Sequence, residues 1–159
     1  MTERAADAFA ELESLRNLSG HRDTVGLPDE VIRQFLISDS TLATAIFEGI
    51  TRRESLTDEF GEHMLSLPES ELVEKLQFDF INFYAPATVN PYVALAARGP
   101  WIITSHGAVL HDNGGYGMLG SGHGPSEVIS SMSENWVMAN VMTPSYSHKR
   151  LANRLQKEL

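Results

Sequence analysis

The sequence predicts an α+β protein in which a helical segment precedes a β-hairpin, a glycine-rich loop and further helices. Apolar residues recur at helical spacing through the first eighty or so positions, with Ser, Asp and Pro at the joints. Two short runs rich in strand-forming side chains then flank a turn at residues 105 to 107. Hydrophobic residues make up 42% of the 159 residues, which is enough for a core. We therefore divide the chain into a helical N-terminal segment, residues 1–81, and a second segment, residues 82–159.

Five helices are predicted in the helical segment. Proline or a short polar side chain opens most of them, and acidic residues follow where the helix dipole favours negative charge. A break and cap at Ser38-Asp39-Ser40 separates the second helix from the third, and Gly61 weakens the fourth. The predicted helices cover residues 2 to 17, a stretch from 28, a stretch from 40, residues 58 to 67 and a stretch from 68.

The second segment is predicted to begin with an extended connector, because residues before proline avoid the helical region. This connector covers residues 85 to 92. The hairpin pairs Trp101-Ile102-Ile103-Thr104 with residues 108 to 112, and Gly107 supplies the positive φ of the turn. Pro125 opens a helix to residue 134, and Ser147 caps a last helix. The apolar run at residues 136 to 142 fits a strand or a helix.

Six glycines lie close together between the hairpin and Pro125, at positions 114, 115, 117, 120, 122 and 124. Their entropic cost on folding requires a reason, either left-handed turns or close approach to the backbone. Gly115, Gly117 and Gly120 match the dinucleotide fingerprint literally. However, the following helix waits for Pro125, and Asn135 stands where an acidic residue is needed. A nucleotide site is thus the least favoured interpretation, and a structural loop and a pocket-lining loop both stay open.

Three histidines near Asp112 raise the question of a metal site. His106, His111 and His123 match no common ligand spacing, and the first two straddle the hairpin turn. We predict no metal site, and we expect Asp112 to hold loop amides at the end of the hairpin.

The composition limits the function classes. The chain carries 12 Lys+Arg against 21 Asp+Glu, a formal charge of −9, and no cysteine. An acidic chain lacks the basic face that nucleic acid or anionic lipid requires, and disulfides and thiolate ligands are excluded. No signal peptide and no run of about 18 apolar residues is visible. We expect a cytoplasmic protein with no nucleic-acid or membrane partner.

The hairpin ending in aspartate, the glycine loop, the Gly-His pair and the helix-opening proline together resemble the class III aminotransferases, pyridoxal-phosphate enzymes of fold type I. The loop between Asp112 and Gly122 is one residue shorter than the family pattern. The resemblance continues into the last helix, through Arg150 to Leu155. The matching residues are Gly99-Pro100-Trp101-Ile102, Gly107, Leu110, Asp112, Gly115-Tyr116-Gly117, Gly122-His123, Pro125, Val128 and Ile129.

The resemblance implies the N-terminal part of an α/β enzyme that moves an amino group between an amine or amino acid and a 2-oxo acid. It implies pyridoxal 5'-phosphate as the parent enzyme's cofactor, a homodimer for the full-length protein, and substrate contacts from Gly115, Tyr116 and Gly117. It also implies a major cofactor domain beyond this chain, which is expected to be inactive alone.

A Schiff-base lysine is required for pyridoxal chemistry. The lysines of this chain are Lys75, Lys149 and Lys157, and none stands where the family places that residue. We therefore assign no catalytic residue here, and the cofactor-binding residues are unknown. The alternative is a non-enzymatic helical interaction domain with an architectural glycine loop.

Overall fold

The computed structural model describes residues 2–79, 85–113, 120–135 and 142–158. The chain forms two compact units, Met1–Pro125 and Ser126–Leu159. Helices and an antiparallel sheet occur together, so the predicted α+β class is confirmed. The two units divide after Pro125. The predicted boundary between residues 81 and 82 lies inside the first unit, which contains both the N-terminal helices and the hairpin.

Most helices of the first unit begin close to their predicted positions. They are α1 Glu3–Leu18, α2 Asp29–Ser38, α3 Ser40–Phe60, α4 Glu62–Leu65 and α5 Glu69–Gln77. Asp39 caps α3 by accepting from the Thr41 amide at 2.8 Å. Residues 58 to 67 were predicted to be helical with a weak point at Gly61, and they form the end of α3 and the short helix α4, which Gly61 separates with a φ of 82°.

Three antiparallel strands form one sheet in the order β1-β2-β3. They are β1 Ala94–Arg98, β2 Trp101–Thr104 and β3 Val109–His111. The predicted hairpin is confirmed as β2-β3, and Gly107 has a φ of 70° in its turn. Strand β1 was not predicted. The expected extended connector instead contains a 3-10 turn over Pro86–Thr88, closed by a bond from the Thr88 amide to the Ala85 carbonyl at 2.8 Å.

The core of the first unit lies where α1 and α3 pack together and α3 crosses the sheet. Gly49 marks the crossing, since a Cβ built there would lie 3.5 Å from Ile103 and 3.7 Å from Ala96. Trp101 is the largest fully buried side chain, and its indole N–H donates to Asp39 Oδ2 at 2.7 Å. Other buried members are Phe9, Leu12, Leu15, Ile32, Leu36, Leu42, Ile46, Ile103 and Val109.

A buried arginine joins α3 to its neighbours. The Arg53 guanidinium donates to the Leu18 carbonyl at 2.9 Å, to the Leu65 carbonyl at 3.4 Å and to Glu62 Oε1 at 2.6 Å. The side chain is 6% exposed, so the carbonyls at the ends of α1 and α4 are satisfied by one buried cation.

The second unit contains α6 Ser126–Met132 and α7 Tyr146–Glu158. The helix after Pro125 is therefore confirmed, while Ser145, and not Ser147, accepts from an amide of α7, that of His148 at 3.3 Å. Neither helix has a buried residue. Residues 136 to 141 of the predicted apolar run lie outside the described residues. None of the described helices combines the length and apolar character that crossing a membrane requires.

Candidate functional site at the base of the glycine-rich loop

The predicted substrate-contacting residues Gly115, Tyr116 and Gly117 lie outside the described residues, and their role stays a prediction. The structure describes both ends of that loop. We call the residues that join these ends the loop base: Arg98, Gly99, Asp112, Gly122, His123 and Gly124.

Backbone hydrogen bonds close the loop base. The Gly99 amide donates to the His123 carbonyl at 2.9 Å, and the His123 amide donates to the Gly99 carbonyl at 2.8 Å. The Asp112 amide donates to the Pro100 carbonyl at 2.7 Å. The turn between β1 and β2 therefore binds the chain on both sides of the glycine-rich loop.

A side-chain pair crosses the same point. His123 Nε2 lies 2.9 Å from Asp112 Oδ2, and the two side chains are 26% and 25% exposed. An ionised carboxylate only accepts hydrogen bonds, so Nε2 carries the proton of this bond. The sequence indicated a structural role for Asp112 but did not predict this imidazole as its partner.

Arg98 connects the loop base to the helical layer. Its Nε donates to Glu48 Oε2 at 3.1 Å, its Nη2 pairs with Glu48 Oε1, and its Nη1 donates to the Gly124 carbonyl. The hydrogen bonds and charge of Glu48 raise the pKa of Arg98, so the guanidinium stays protonated. Sequence reasoning missed this link, since Glu48 and Arg98 are 50 residues apart.

Glycine is required at position 122. Its φ is 76°, and a Cβ placed there would lie 2.9 Å from both the carbonyl carbon and the carbonyl oxygen of Gly99. These are backbone atoms that cannot rotate away, and the conformation itself disfavours other residues. One of the six clustered glycines thus allows two backbone segments to approach closely.

The three histidines do not converge. His106 is buried, with Nε2 2.8 Å from the Leu67 carbonyl, whereas His111 places Nδ1 2.6 Å from Asn113 Oδ1. The part of the chain that the structure describes contains no group of three side chains suited to a metal ion. Each histidine has its own hydrogen-bond partner.

The strands around the loop also bear on the dinucleotide interpretation. A dinucleotide fold needs parallel strands joined by a helix, with the helix beginning inside the glycines. Here β1, β2 and β3 are antiparallel, and α6 begins at Ser126. The geometry of the described strands therefore does not favour a nucleotide site.

A pyridoxal cofactor needs a lysine that forms its Schiff base. Lys75 on α5 and Lys149 and Lys157 on α7 are all exposed.

Comparison of the chain with protein-family models, curated proteins and solved structures finds no match.

Proposed function

We propose that this chain is the N-terminal region of a class III-like, pyridoxal-phosphate-dependent aminotransferase that acts on an amine or amino acid and a 2-oxo acid. One observation supports the proposal most: motif residues that are far apart in sequence meet at the loop base. Gly99, Asp112 and His123 come from a turn, a strand end and a loop end, yet they join through two backbone bonds and one side-chain bond.

A fixed loop base suits a pocket-lining loop better than a plain connection. Side chains that choose a substrate must be held within a fraction of an ångström of their working positions, which requires rigid supports. The loop base supports both flanks, because the Asp112–His123 pair joins them and Arg98 holds Gly124 on the second flank. In this proposal the loop carries Gly115, Tyr116 and Gly117 to the substrate.

The proposal gives this chain one wall of the substrate pocket. As the resemblance implies, the proposal assigns the covalent anchor and the acidic partner of the cofactor to the major domain of the parent enzyme. We expect the chain incubated with pyridoxal 5'-phosphate and borohydride to show no stoichiometric adduct on one lysine, which peptide mass mapping would check. A single fully labelled lysine would contradict this division of labour.

The test of the activity uses the protein from the whole reading frame. We expect it to bind pyridoxal 5'-phosphate, visible by absorbance, and to transfer amino groups to a 2-oxo acid. Tyr116→Ala should change kcat/KM unequally among three donors of different size, by about 1–3 kcal/mol for a lost pocket contact, with cofactor affinity unchanged. Tyr116→Phe separates the hydroxyl from the ring. A uniform loss for all donors, together with a lower Tm, would refute the pocket role.

A helical interaction domain is the second candidate, and the second unit favours it. Val128, Ile129 and Met132 on α6 and Leu151 and Leu155 on α7 are all exposed, a pattern typical of surfaces that bind another protein. A full-length protein that binds no pyridoxal phosphate, but forms a stable complex lost on changing these side chains to Ser, would favour this candidate.

A further inference from the structure

Three connections of the first unit meet at one point, which we call the polar junction. They are residues 19 to 28 between α1 and α2, residues 66 to 68 between α4 and α5, and the turn at residues 105 to 107. Ser19 Oγ donates to the Ser105 carbonyl at 2.8 Å, and the Glu69 amide donates to the His21 carbonyl at 2.8 Å. Gly20 lies so close that a Cβ would be 2.3 Å from the Leu67 carbonyl oxygen. The junction is therefore tightly packed and rich in backbone polar groups.

Glu69 is the acidic centre of the polar junction and is 0% exposed. Its Oε2 accepts from the Asp23 amide at 2.8 Å and from the Thr24 amide at 2.7 Å. Its Oε1 and Thr24 Oγ1 are both shielded from solvent, and neither has a hydrogen-bond partner among the described residues. Glu69 and Thr24 are thus hydrogen-bonded to each other and also contain two buried polar atoms that no described residue satisfies.

Nearby charge does not replace the missing hydrogen bonds. The pKa of Arg22 is lowered by burial and by Arg16, while Asp29 and Glu69 act in the opposite direction, so Arg22 lies within electrostatic reach of Glu69. The hydrogen bond of the Arg22 guanidinium nevertheless goes to the Gly107 carbonyl, at 3.2 Å. An unsatisfied buried donor or acceptor destabilises the folded state, and natural proteins often satisfy such a group with a bound water.

We propose that a single buried water molecule binds in the polar junction and bridges Glu69 Oε1 and Thr24 Oγ1. A water suits both atoms, because the carboxylate oxygen can only accept and the hydroxyl can donate or accept. The water donates one hydrogen to Glu69 Oε1 and completes its second bond with the hydroxyl.

The water has a structural consequence at the hairpin. Residues 19 to 28 continue to Leu27, whose amide donates to the Val109 carbonyl of β3 at 2.9 Å. Fixing this connection therefore protects the open edge of β3. The inference does not depend on the proposed aminotransferase function, since it concerns only hydrogen bonds within the first unit.

A crystal structure of the whole chain that shows ordered solvent provides the direct test. We expect one solvent peak about 2.7–3.2 Å from both Glu69 Oε1 and Thr24 Oγ1. A direct bond between these two atoms, or a junction without solvent, would overturn the proposal.

Thr24→Val gives a second test, because the direction of its effect on folding stability distinguishes a bound water from an unsatisfied hydroxyl. Loss of the hydroxyl removes a partner of the water, so the unfolding equilibrium constant should rise about tenfold. Thr24→Ser should restore most of the loss, and Thr51→Val, at an exposed position of α3, should change little. If the hydroxyl were unsatisfied, Thr24→Val would instead leave stability unchanged or raise it, and the water site would be refuted. Should the valine variant fail to fold, the serine variant and the solvent peak decide the question.

Discussion

Replacing Gly122 by alanine should open the loop base, and the structure allows the cost to be divided into parts. The left-handed conformation costs a non-glycine residue about 1–2 kcal/mol, partly offset by about 0.4–1 kcal/mol from the less flexible unfolded chain. The new Cβ would also lie 2.9 Å from the Gly99 backbone, so the bridge between Gly99 and His123 must move. Its two hydrogen bonds contribute about 0.5–1.5 kcal/mol each. We expect Gly122→Ala to lower the free energy of unfolding by about 1–5 kcal/mol.

Gly61 provides a comparison without the close contact. A Cβ there would meet nothing within 4 Å, although Gly61 has a φ of 82° and a ψ of 150°. Gly61→Ala should therefore show only a conformational cost, about 1–3 kcal/mol for a backbone region almost restricted to glycine. Amide protection at the loop base then distinguishes the close contact at Gly122 from this conformational cost.

Urea unfolding of the two variants gives the free energies, and amide hydrogen exchange reports on the loop base directly. Protection of the Gly99 and His123 amides should fall in the Gly122 variant and persist in the Gly61 variant. A Gly122 variant as stable as the Gly61 variant, with both amides still protected, would refute the close approach on which the loop base depends.

Three further outcomes follow from the structure. Burial alone would raise the pKa of Asp39, but its hydrogen bonds outweigh burial and the pKa is lowered. The contribution of Asp39 to the free energy of unfolding is thus present above about pH 4 and lost as the pH falls through the lowered pKa. Asp39→Asn should therefore flatten the acid limb of the stability–pH curve, and an unchanged limb would contradict this. Arg53→Met should lower the free energy of unfolding in urea by about 2–3 kcal/mol, because two carbonyls lose a buried donor. Arg52→Met, at an exposed neighbouring position, should lower it little. Equal losses in the two variants would show that the buried bonds contribute nothing. The exposed Leu151 and Leu155 should make the chain associate, and changing both to Ser should restore the monomer in sedimentation; a wild-type chain that stays monomeric at high concentration would oppose this.

The helices and the hairpin could be predicted because local rules decide them. The capping role of Asp39, the turn at Gly107 and the start after Pro125 all depend on neighbours a few residues away. Strand β1 was missed because its sequence, ALAAR, is rich in alanine and lacks the branched side chains that indicate a strand. Its pairing with β2 comes from tertiary packing against α3.

The candidate site was only partly predictable for a related physical reason. The sequence indicated that some of the clustered glycines must allow close approach, but the neighbour that makes Gly122 necessary is Gly99, 23 positions away. Polar contacts between distant residues leave no periodic signal, and the bond between Arg16 and the Gly107 carbonyl spans 91 positions. The polar junction and the Arg98 link both consist of such contacts.

The contacts of α3 give the helical segment a purpose that its sequence did not reveal. A three-stranded sheet needs a packed face for stability, and here α3 provides it. The same helix presents Glu48 to Arg98, which holds the Gly124 carbonyl, while Asp39 at its cap binds the Trp101 indole at the start of β2. Both polar contacts act on the turn that closes the loop. Loss of either contact would let the loop base shift while the apolar core stays packed, so the helical segment determines the position of the loop base as well as the stability of the sheet.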